Sequence, residues 1–400
     1  MKITDVKAHV LLDPGYDRES TSSNQDTVVV EVTTDEGLTG YGETDLNAWV
    51  ARACIEAPGT HTMDRGIRET LLGRDPRDPE ALWDELYIST AMTGRRGAAV
   101  HALGAVDIAL WDIAGQAAGK PVWQLLGDAA HDHLTPYASL LPRGGDSVDE
   151  FIGTLVDQAI WAKRLGFRAA KLEILTRGPY AHEGLSAPDS IMLETIAAVR
   201  STVGPEFTIM VDVAYAWKTA DEVLAVIEPW AEHDVFFLET PLWSDDLEEY
   251  ARLAERSPIP IAAGEWLSTR FEFLDLMDRG RIDVVQPDVG RVGGLTEALR
   301  VCRLAEERGL RVVPHGWKTG LTVAATAHLA AVAPTLRFFE FVPQEVAESP
   351  LRRDLVHDEL TLDNGLLPLP TRPGLGVVPE PEAMALFIDA ARQKEMSWHR

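Results

Sequence analysis

The strongest constraint on the fold is a regular alternation of short apolar runs and longer amphipathic segments, which begins near residue 134. The apolar runs cover residues 134–140, 167–174, 207–212, 235–239, 259–265, 282–288, 310–315 and 336–341. Strands that alternate with helices form parallel βα units. Eight such units predict an α/β fold, a closed (β/α)8 barrel of the TIM type.

The segments on either side of this alternation predict a second unit. Amphipathic helices are expected within the barrel over residues 148–165, 190–203, 220–233, 247–256, 271–279 and 296–308. Before the barrel, residues 27–43 read as a hairpin and residues 97–118 as a helix. The sequence therefore predicts an N-terminal α+β domain (residues 1–128), a barrel (129–345) and a Pro/Gly-rich C-terminal segment (346–400) that packs back on the first domain.

Charged residues end the apolar runs in succession. They are Lys171, Asp212, Glu239, Glu265, Asp288, His315 and Glu340, at spacings of 41, 27, 26, 23, 27 and 25 residues. The carboxyl ends of barrel strands converge on one mouth, where the active sites of this fold lie. We therefore expect these side chains to meet in a single site.

Three consecutive acids in this series predict a metal site. Asp212, Glu239 and Glu265 would bring three carboxylates together, and these repel one another unless they are protonated or bind a cation. An all-oxygen donor set suits a hard cation such as Mg²⁺. Each acid alone could equally be a solvated residue at a strand end, but three in register favour a metal.

The next two strand ends carry Asp288 and His315, which would be neighbours. A carboxylate beside an imidazole fixes the tautomer of the ring and raises its basicity. The pair therefore predicts a general base or acid. A structural histidine between Pro314 and Gly316 is the alternative.

Lys171 and Glu173 lie two residues apart on one predicted strand, so both should face the barrel interior. Lys171 is expected to balance the carboxylates or to contact the substrate. A buried ion pair between Lys171 and Glu173 is the alternative. Glu340 is expected to donate or accept a hydrogen bond near the substrate carboxylate, or else to serve as a capping acid.

These residues, in this order, resemble the enolase superfamily and most closely its mandelate racemase subgroup. The resemblance covers nearly the whole chain, since residues 33–43 resemble the hairpin of the family's capping domain and residues 107–126 the helix and turn that lead into the barrel. Its most specific part is the series Val211-Asp212, Leu238-Glu239, Gly264-Glu265, Gln286-Pro287-Asp288 and Pro314-His315-Gly316.

The resemblance assigns roles to the residues at the strand ends. It implies metal ligands at Asp212, Glu239 and Glu265, a catalytic dyad of Asp288 and His315, and an electrophilic acid at Glu340. It also implies a Mg²⁺ ion that stabilises the negative charge formed when the proton next to the substrate carboxylate leaves. Homo-oligomers are common in the family, so a homo-oligomer is expected.

The chain departs from the family pattern at one position. The subgroup commonly has Lys-x-Lys at the end of the second strand, where the second lysine is a base, whereas this chain has Lys171-Leu172-Glu173. Residues 175–189 then form a long loop that contains Tyr180 and His182. We expect Glu173, Tyr180 and His182 to contact the substrate, and the loop to supply a replacement acid or base. A surface loop remoter from the site is the alternative.

Loss of the second lysine leaves His315 as the one clear base. One histidine suffices to remove water from a polyhydroxy acid, first as base and then as acid, so the first interpretation is a sugar-acid dehydratase that yields a 2-keto-3-deoxy product. A cycloisomerase, epimerase or racemase on the same scaffold is the second interpretation. A non-catalytic barrel that binds a metal or a sugar acid is the third.

Charge and composition limit the classes of molecule that the protein is expected to bind. The 37 basic and 63 acidic residues give a net charge of −26, which disfavours nucleic acid and anionic membranes as partners. The N-terminus lacks the basic-then-apolar pattern of an export signal, and the two cysteines are too few for a disulfide framework. The same charge repels small carboxylates, so the small acid expected as the substrate needs local cations. The N-terminus and the cysteine count predict a cytoplasmic protein.

Overall fold

The N-terminal elements form a sheet covered by helices. The computed structural model describes residues 1–18, 20, 22–141, 147–181, 187–344, 347 and 349–397. The first elements are β1 (Ile3–Leu12), β2 (Asp26–Thr34), β3 (Thr39–Thr44), α1 (Ala48–Glu56), α2 (Ile67–Leu71), α3 (Pro79–Ser89), α4 (Ala98–Ala118) and α5 (Trp123–Leu126). The strands pair antiparallel in the order β1-β2-β3, which confirms the predicted hairpin, and α4 confirms the helix predicted over residues 97–118. We call β1–β3 and α1–α4 the capping domain.

Helix α4 lies directly on strand β3 because two glycines leave room for its backbone. A Cβ atom added to Gly42 would come within 1.9 Å of the Ala105 carbonyl oxygen, and one added to Gly40 within 2.2 Å of the Ala109 carbonyl oxygen. By length and composition α4 could cross a membrane, but 89% of its most apolar window is buried. Its apolar character is therefore that of a core helix.

The second unit is an eight-stranded parallel sheet that closes on itself. Its strands are β5 (Pro136–Leu140), β6 (Ala169–Glu173), β7 (Thr208–Asp212), β8 (Val235–Glu239), β9 (Ile261–Ala263), β10 (Val284–Val285), β11 (Arg311–Val312) and β12 (Phe339–Phe341), preceded by the short β4 (His133–Leu134). They pair in the order β11-β10-β9-β8-β7-β6-β5-β12. A parallel bridge between Val312 and Leu336 joins the two ends. All eight predicted strands are present, and most are shorter than their apolar runs.

A layer of side chains fills the barrel below the charged strand ends. Each strand region contributes one buried residue to this layer: Tyr137, Ala169, Met210, Phe237, Ala262, Val284, Val313 and Phe338. Residues two positions further along a strand point to the same side. Lys171, Asp212 and Glu239 therefore face the interior one layer above Ala169, Met210 and Phe237, at the mouth of the barrel.

All six predicted barrel helices are present in the described part of the chain, and a seventh is added to them. The helices are α6 (Val148–Arg164), α7 (Ser190–Val203), α8 (Ala220–Ile227), α9 (Leu247–Arg256), α10 (Thr269–Asp278), α11 (Gly294–Glu307) and α12 (Gly320–Val332). The predicted helix 220–233 is shorter than expected, since α8 gives way to a 3-10 helix, Glu228–His233, in which Pro229 is an early residue. Helix α12 was not predicted, because almost all of its residues are buried and it shows no polar face.

The C-terminal segment returns to the capping domain, as the sequence suggested. Its elements are α13 (Pro350–Asp354), β13 (Leu367–Pro368) and α14 (Pro381–Ser397), and β13 pairs with β4. Glu395 of α14 accepts hydrogen bonds from Trp49 Nε1 and Arg52, both at 2.6 Å. The helical end of this segment was not predicted. The residue limits predicted for the three domains, at 128 and 345, stay predictions.

Candidate active site

Strand register brings the predicted acids of the second, third and fourth strands side by side. Glu173 pairs with Asp212 across β6 and β7, and Asp212 pairs with Glu239 across β7 and β8. Glu265 follows β9 by two residues. Side chains at paired positions of parallel strands point to the same side of the sheet, so these carboxylates share one edge of the barrel mouth.

Lys171 lies among these acids and is fully engaged by them. Its Nζ atom is 2.7 Å from Glu239 Oε1, 2.9 Å from Glu340 Oε1 and 3.4 Å from Asp212 Oδ2. Only 2% of its surface is exposed. Burial lowers the pKa of Lys171, but Glu239 and Glu340 outweigh this effect and raise it well above the ordinary value. Lys171 is therefore a charged ammonium group, and its ion-pair partners are these three acids, not Glu173.

Asp288 and His315 form the predicted dyad. His315 Nδ1 is 2.5 Å from Asp288 Oδ2, and His315 Nε2 is 3.2 Å from Glu265 Oε2. The Asp288 carboxylate thus fixes the imidazole so that its second nitrogen faces the acids of the mouth. Burial lowers the pKa of His315, but Glu340, the Asp288 hydrogen bond and Glu265 outweigh it and raise the pKa to about 9.

Glu340 is an ionised carboxylate in this arrangement. Its Oε2 atom accepts a hydrogen bond of 2.9 Å from the Gly316 backbone N–H, next to His315. Burial raises the pKa of Glu340, but Lys171 and then His315 outweigh burial and lower it to about 2. Glu340 consequently joins Lys171 to the loop that carries His315.

A second ionic cluster, which the sequence did not reveal, fixes the capping domain to the barrel mouth. Asp45, just after β3, forms ion pairs with Arg291 and with Lys318, whose Nζ is 2.9 Å from Asp45 Oδ1. Arg291 also approaches Glu265 at 3.6 Å and Asp288 at 3.8 Å. The only sequence signal for Arg291 is its place three residues after Asp288.

The acids at the mouth have the chemistry of a divalent-cation site. Burial raises the pKa of Glu239 to about 8, Lys171 opposes this rise and Asp212 adds to it. A carboxylate so placed is stabilised by further positive charge. Among the described residues no three acid, histidine or cysteine side chains converge closely enough to hold an ion as they stand. The donor set itself, three oxygen ligands from consecutive strands, fits a hard cation.

A cavity of about 220 Å³ opens above this site. Lys171, Glu173, Asp212, Glu265 and His315 line it. Burial and then Asp212 raise the pKa of Glu173 well above the ordinary value. Among the residues that the structure describes, Glu173 has no hydrogen-bond or ion-pair partner. Its carboxyl group is available to a molecule in the cavity.

The structure brings Tyr180 of the long loop to the same cavity. His182, the other predicted residue of that loop, lies outside the described residues. Three more aromatic residues near the mouth, Tyr215, Trp243 and Trp266, were not singled out from the sequence. Tyr215 and Trp266 follow Asp212 and Glu265 by three residues and one residue, and this adjacency is the signal that could have identified them.

Two family descriptions match the chain, one for each unit of the fold. Residues 4–127 match the mandelate racemase / muconate lactonizing enzyme N-terminal domain, and residues 154–383 match the enolase C-terminal domain-like family. The chain belongs to the enolase superfamily, in its mandelate racemase subgroup. The resemblance noted in the sequence and the barrel with its N-terminal capping domain are both confirmed.

Proteins named for an activity are similar in sequence to this chain over most of its length. D-galactarolactone cycloisomerase of Agrobacterium fabrum is 31% identical over 399 residues, which cover 97% of this chain and 99% of that protein. Arabinonate dehydratase of Saccharolobus solfataricus is 31% identical and covers 87% of each chain. The crystal structure of the 3,6-anhydro-D-galactonate cycloisomerase from Zobellia galactanivorans is 28% identical, with a TM-score of 0.82 over 97% of this chain and 99% of that one.

Proposed function

We propose that this chain removes the proton next to the carboxylate of a sugar acid in a Mg²⁺-dependent reaction, and that the reaction is dehydration to a 2-keto-3-deoxy acid. The observation that carries the proposal is the Asp288–His315 dyad, whose second imidazole nitrogen, Nε2, lies 3.2 Å from Glu265 at the cavity. A base is thus held beside an acid of the metal donor set.

His315 is the proton-transfer group of this proposal. Asp288 accepts a hydrogen bond from the Nδ1–H group and leaves Nε2 to take the α-proton of the substrate. A cation bound to Glu265 would reduce the negative charge that raises the pKa of His315 and so favour the neutral, basic form of the ring. The imidazolium that results is stabilised by Asp288 and Glu340, which is the same balance of charge that raises its pKa in the structure. The same nitrogen then returns its proton to the departing hydroxyl group.

Asp212, Glu239 and Glu265 would hold the Mg²⁺ ion. The ion supplies positive charge that stabilises the negative charge developing on the substrate carboxylate, and enzymes of this superfamily use Mg²⁺ with a Lys or His base. Lys171 and Arg291 line the cavity and supply further positive charge at the mouth, the local cations that an anionic substrate needs on a chain with a net charge of −26. Glu340 positions Lys171 and the backbone of Gly316.

Dehydration is preferred because the second base position carries a carboxyl group. Glu173 replaces the lysine of the common pattern, and Lys171 is held as an ammonium ion by Glu239 and Glu340. Proton transfer through His315 alone suffices for loss of water. A cycloisomerase is the second candidate, since the relative similar over 97% of the chain bears that name. The substrate is a small acid, and we propose a cytoplasmic homo-oligomer that binds neither nucleic acid nor membrane.

A turnover screen tests this proposal. Mono- and diacid sugars are incubated with the protein and Mg²⁺, and 2-keto acid is measured with and without a chelator. We expect product from at least one acid, loss of product with the chelator, and a fall of at least about 10²-fold in His315→Asn. Exposed His357→Gln serves as the control variant. Turnover that survives in His315→Asn would place the chemistry elsewhere.

A further inference from the structure

Four aromatic rings form a continuous wall on one side of the barrel mouth. Tyr180, Tyr215, Trp243 and Trp266 come from the loops after β6, β7, β8 and β9, one ring from each of four consecutive loops. The Tyr215 and Trp266 ring centroids are 4.5 Å apart, Tyr180 and Trp266 are 5.7 Å apart, and Trp243 lies 5.2 Å from Tyr215. We call these four residues the aromatic wall.

The backbone is strained where the aromatic wall meets the proposed metal donors. Ala214 and Tyr215 both have positive φ, at 38° and 63°, although neither is glycine. Such a conformation costs of order 1–3 kcal/mol per residue and persists only where the surroundings enforce it. Here the Tyr215 hydroxyl donates a 2.8 Å hydrogen bond to Glu265, and the Tyr215 N–H bonds to the Thr240 carbonyl. The position of the Tyr215 ring is therefore fixed.

The aromatic wall borders the cavity that contains the proposed catalytic residues, and part of it is exposed to solvent. Tyr180, Tyr215 and Trp266 line the same cavity as His315 and Glu173. Trp266 is 36% exposed and Trp243 is 47% exposed. Indole rings that only filled the core would be largely buried, whereas exposed, clustered rings beside a polar cavity are typical of a binding surface.

We infer that the aromatic wall determines specificity for an acid that carries a ring, a cyclic sugar acid such as a lactone, whose C–H face packs on Trp266 and Tyr180. The inference rests on the proposed function, since the carboxylate must lie at the Lys171 end of the cavity. A flat apolar face gains contact area on aromatic rings, while the hydroxyl groups of an extended chain gain little from the faces of the rings.

The inference is tested by calorimetric titration in Mg²⁺ on the His315→Asn protein, which cannot consume the ligand. The probes are glucarolactone, open-chain glucarate with the same carbon skeleton, and the aryl acid mandelate. We expect glucarolactone to bind at least about fivefold more tightly than glucarate. Mandelate that binds as well as the lactone would assign the wall to aryl acids and overturn the choice of a cyclic sugar acid.

Two variants of the aromatic wall and one control variant test whether the wall causes the preference for the lactone. Trp266→Leu and Tyr180→Leu should each weaken lactone binding by about five- to tenfold, the value of one aromatic contact. Phe271→Leu is the matched control, because Phe271 is 38% exposed and lies on α10 outside the cavity. Glucarate that binds the His315→Asn protein as tightly as glucarolactone, or more tightly, would overturn the inference and leave the proposed function intact. Binding of neither acid would overturn the inference, and the turnover screen then decides the proposed function separately.

Discussion

At the scale of single residues, Glu173 separates this chain from the common pattern of its subgroup. The structure gives a reason why Lys171 does not replace the missing base. Its ammonium group is bound by Glu239 and Glu340, and these carboxylates hold its pKa well above the ordinary value. A group that keeps its proton is a poor base, so one face of the substrate has no amine base.

The first prediction follows from this one-sided arrangement. In D₂O the enzyme should dehydrate its substrate without changing the configuration of the substrate recovered part-way. Glu173→Lys, which restores the common pattern, should slow the reaction, because a second cation would lie beside Lys171. Glu173→Gln, which keeps the shape of the side chain and adds no cation, is the isosteric control. Recovered substrate that contains both epimers and carries deuterium would mean a second base and favour an epimerase or racemase; proton NMR distinguishes the two outcomes.

Residues at the strand ends were predictable because the barrel period places them, one for each βα unit. The positions of Arg291, Tyr215 and Trp266 were not predictable. They lie in loops, where no helical or strand periodicity indicates the direction of a side chain. The ion-pair partners of Lys171 were also beyond the sequence. Its nearest acid in sequence is Glu173, but the twist and register of the strands bring Glu239, 68 residues away, to 2.7 Å.

At the scale of elements, the contact of β3 with α12 controls where the His315 loop lies. Glu43 of β3 is fully buried and accepts hydrogen bonds from the backbone N–H and hydroxyl groups of Thr319 and Thr322, in the first turn of α12. Thr27 donates to the other carboxylate oxygen at 2.8 Å. A carboxylate at a helix N-terminus complements the unpaired N–H groups and the helix dipole. This contact therefore fixes the helix that begins five residues after His315.

The second prediction concerns this contact. Glu43→Gln turns an amide towards donors that need an acceptor, and should lower the free energy of unfolding by about 1–3 kcal/mol. Amide hydrogen exchange near residues 316–322 should become faster. Glu31→Gln on the neighbouring strand is the control, since Glu31 lies at the surface and its ion pairs contribute little. Unchanged unfolding and exchange in Glu43→Gln would show that the contact does not hold α12.

Helices with one polar and one apolar face were predictable from the sequence. Helices that lack a polar face were not. Helices α7 and α9 have the predicted limits because their apolar positions recur at helical spacing. Helix α12 was not predicted because it is buried on all sides and so lacks a polar face. It lies between the barrel and the C-terminal segment. Most strands are shorter than their apolar runs because the outer residues of those runs pack without pairing.

At the scale of the whole molecule, His328 links three parts of the chain. Its Nδ1 accepts a hydrogen bond from the Trp123 N–H, and its Nε2 donates to the Leu375 carbonyl of the C-terminal segment. Burial lowers the pKa of His328 to about 4, while the Leu375 hydrogen bond opposes this shift. The folded chain therefore keeps His328 neutral at a pH where the unfolded chain protonates it.

The third prediction is a loss of stability in acid. Because the folded-state pKa of His328 lies below the unfolded value of about 6.5, its contribution is lost as the pH falls from about 6.5 to about 4, by at most about 3 kcal/mol. His328→Gln should make the free energy of unfolding less dependent on pH over this interval. Exposed His357→Gln should leave the dependence unchanged. Equal slopes in His328→Gln and the parent, measured by urea unfolding, would contradict the assignment.

The response to Mg²⁺ shows whether Asp212 and Glu239 hold the ion. At about 100 times the dissociation constant, Mg²⁺ should stabilise the parent protein by about 2.7 kcal/mol and raise its melting temperature. Asp212→Asn and Glu239→Gln should lose most of this rise, because each removes one oxygen donor and its charge. Exposed Glu80→Gln on α3 should keep it, which controls for weak ion binding to the acidic surface. An unchanged Mg²⁺-induced rise of the melting temperature in both Asp212→Asn and Glu239→Gln would mean that these acids do not hold the ion.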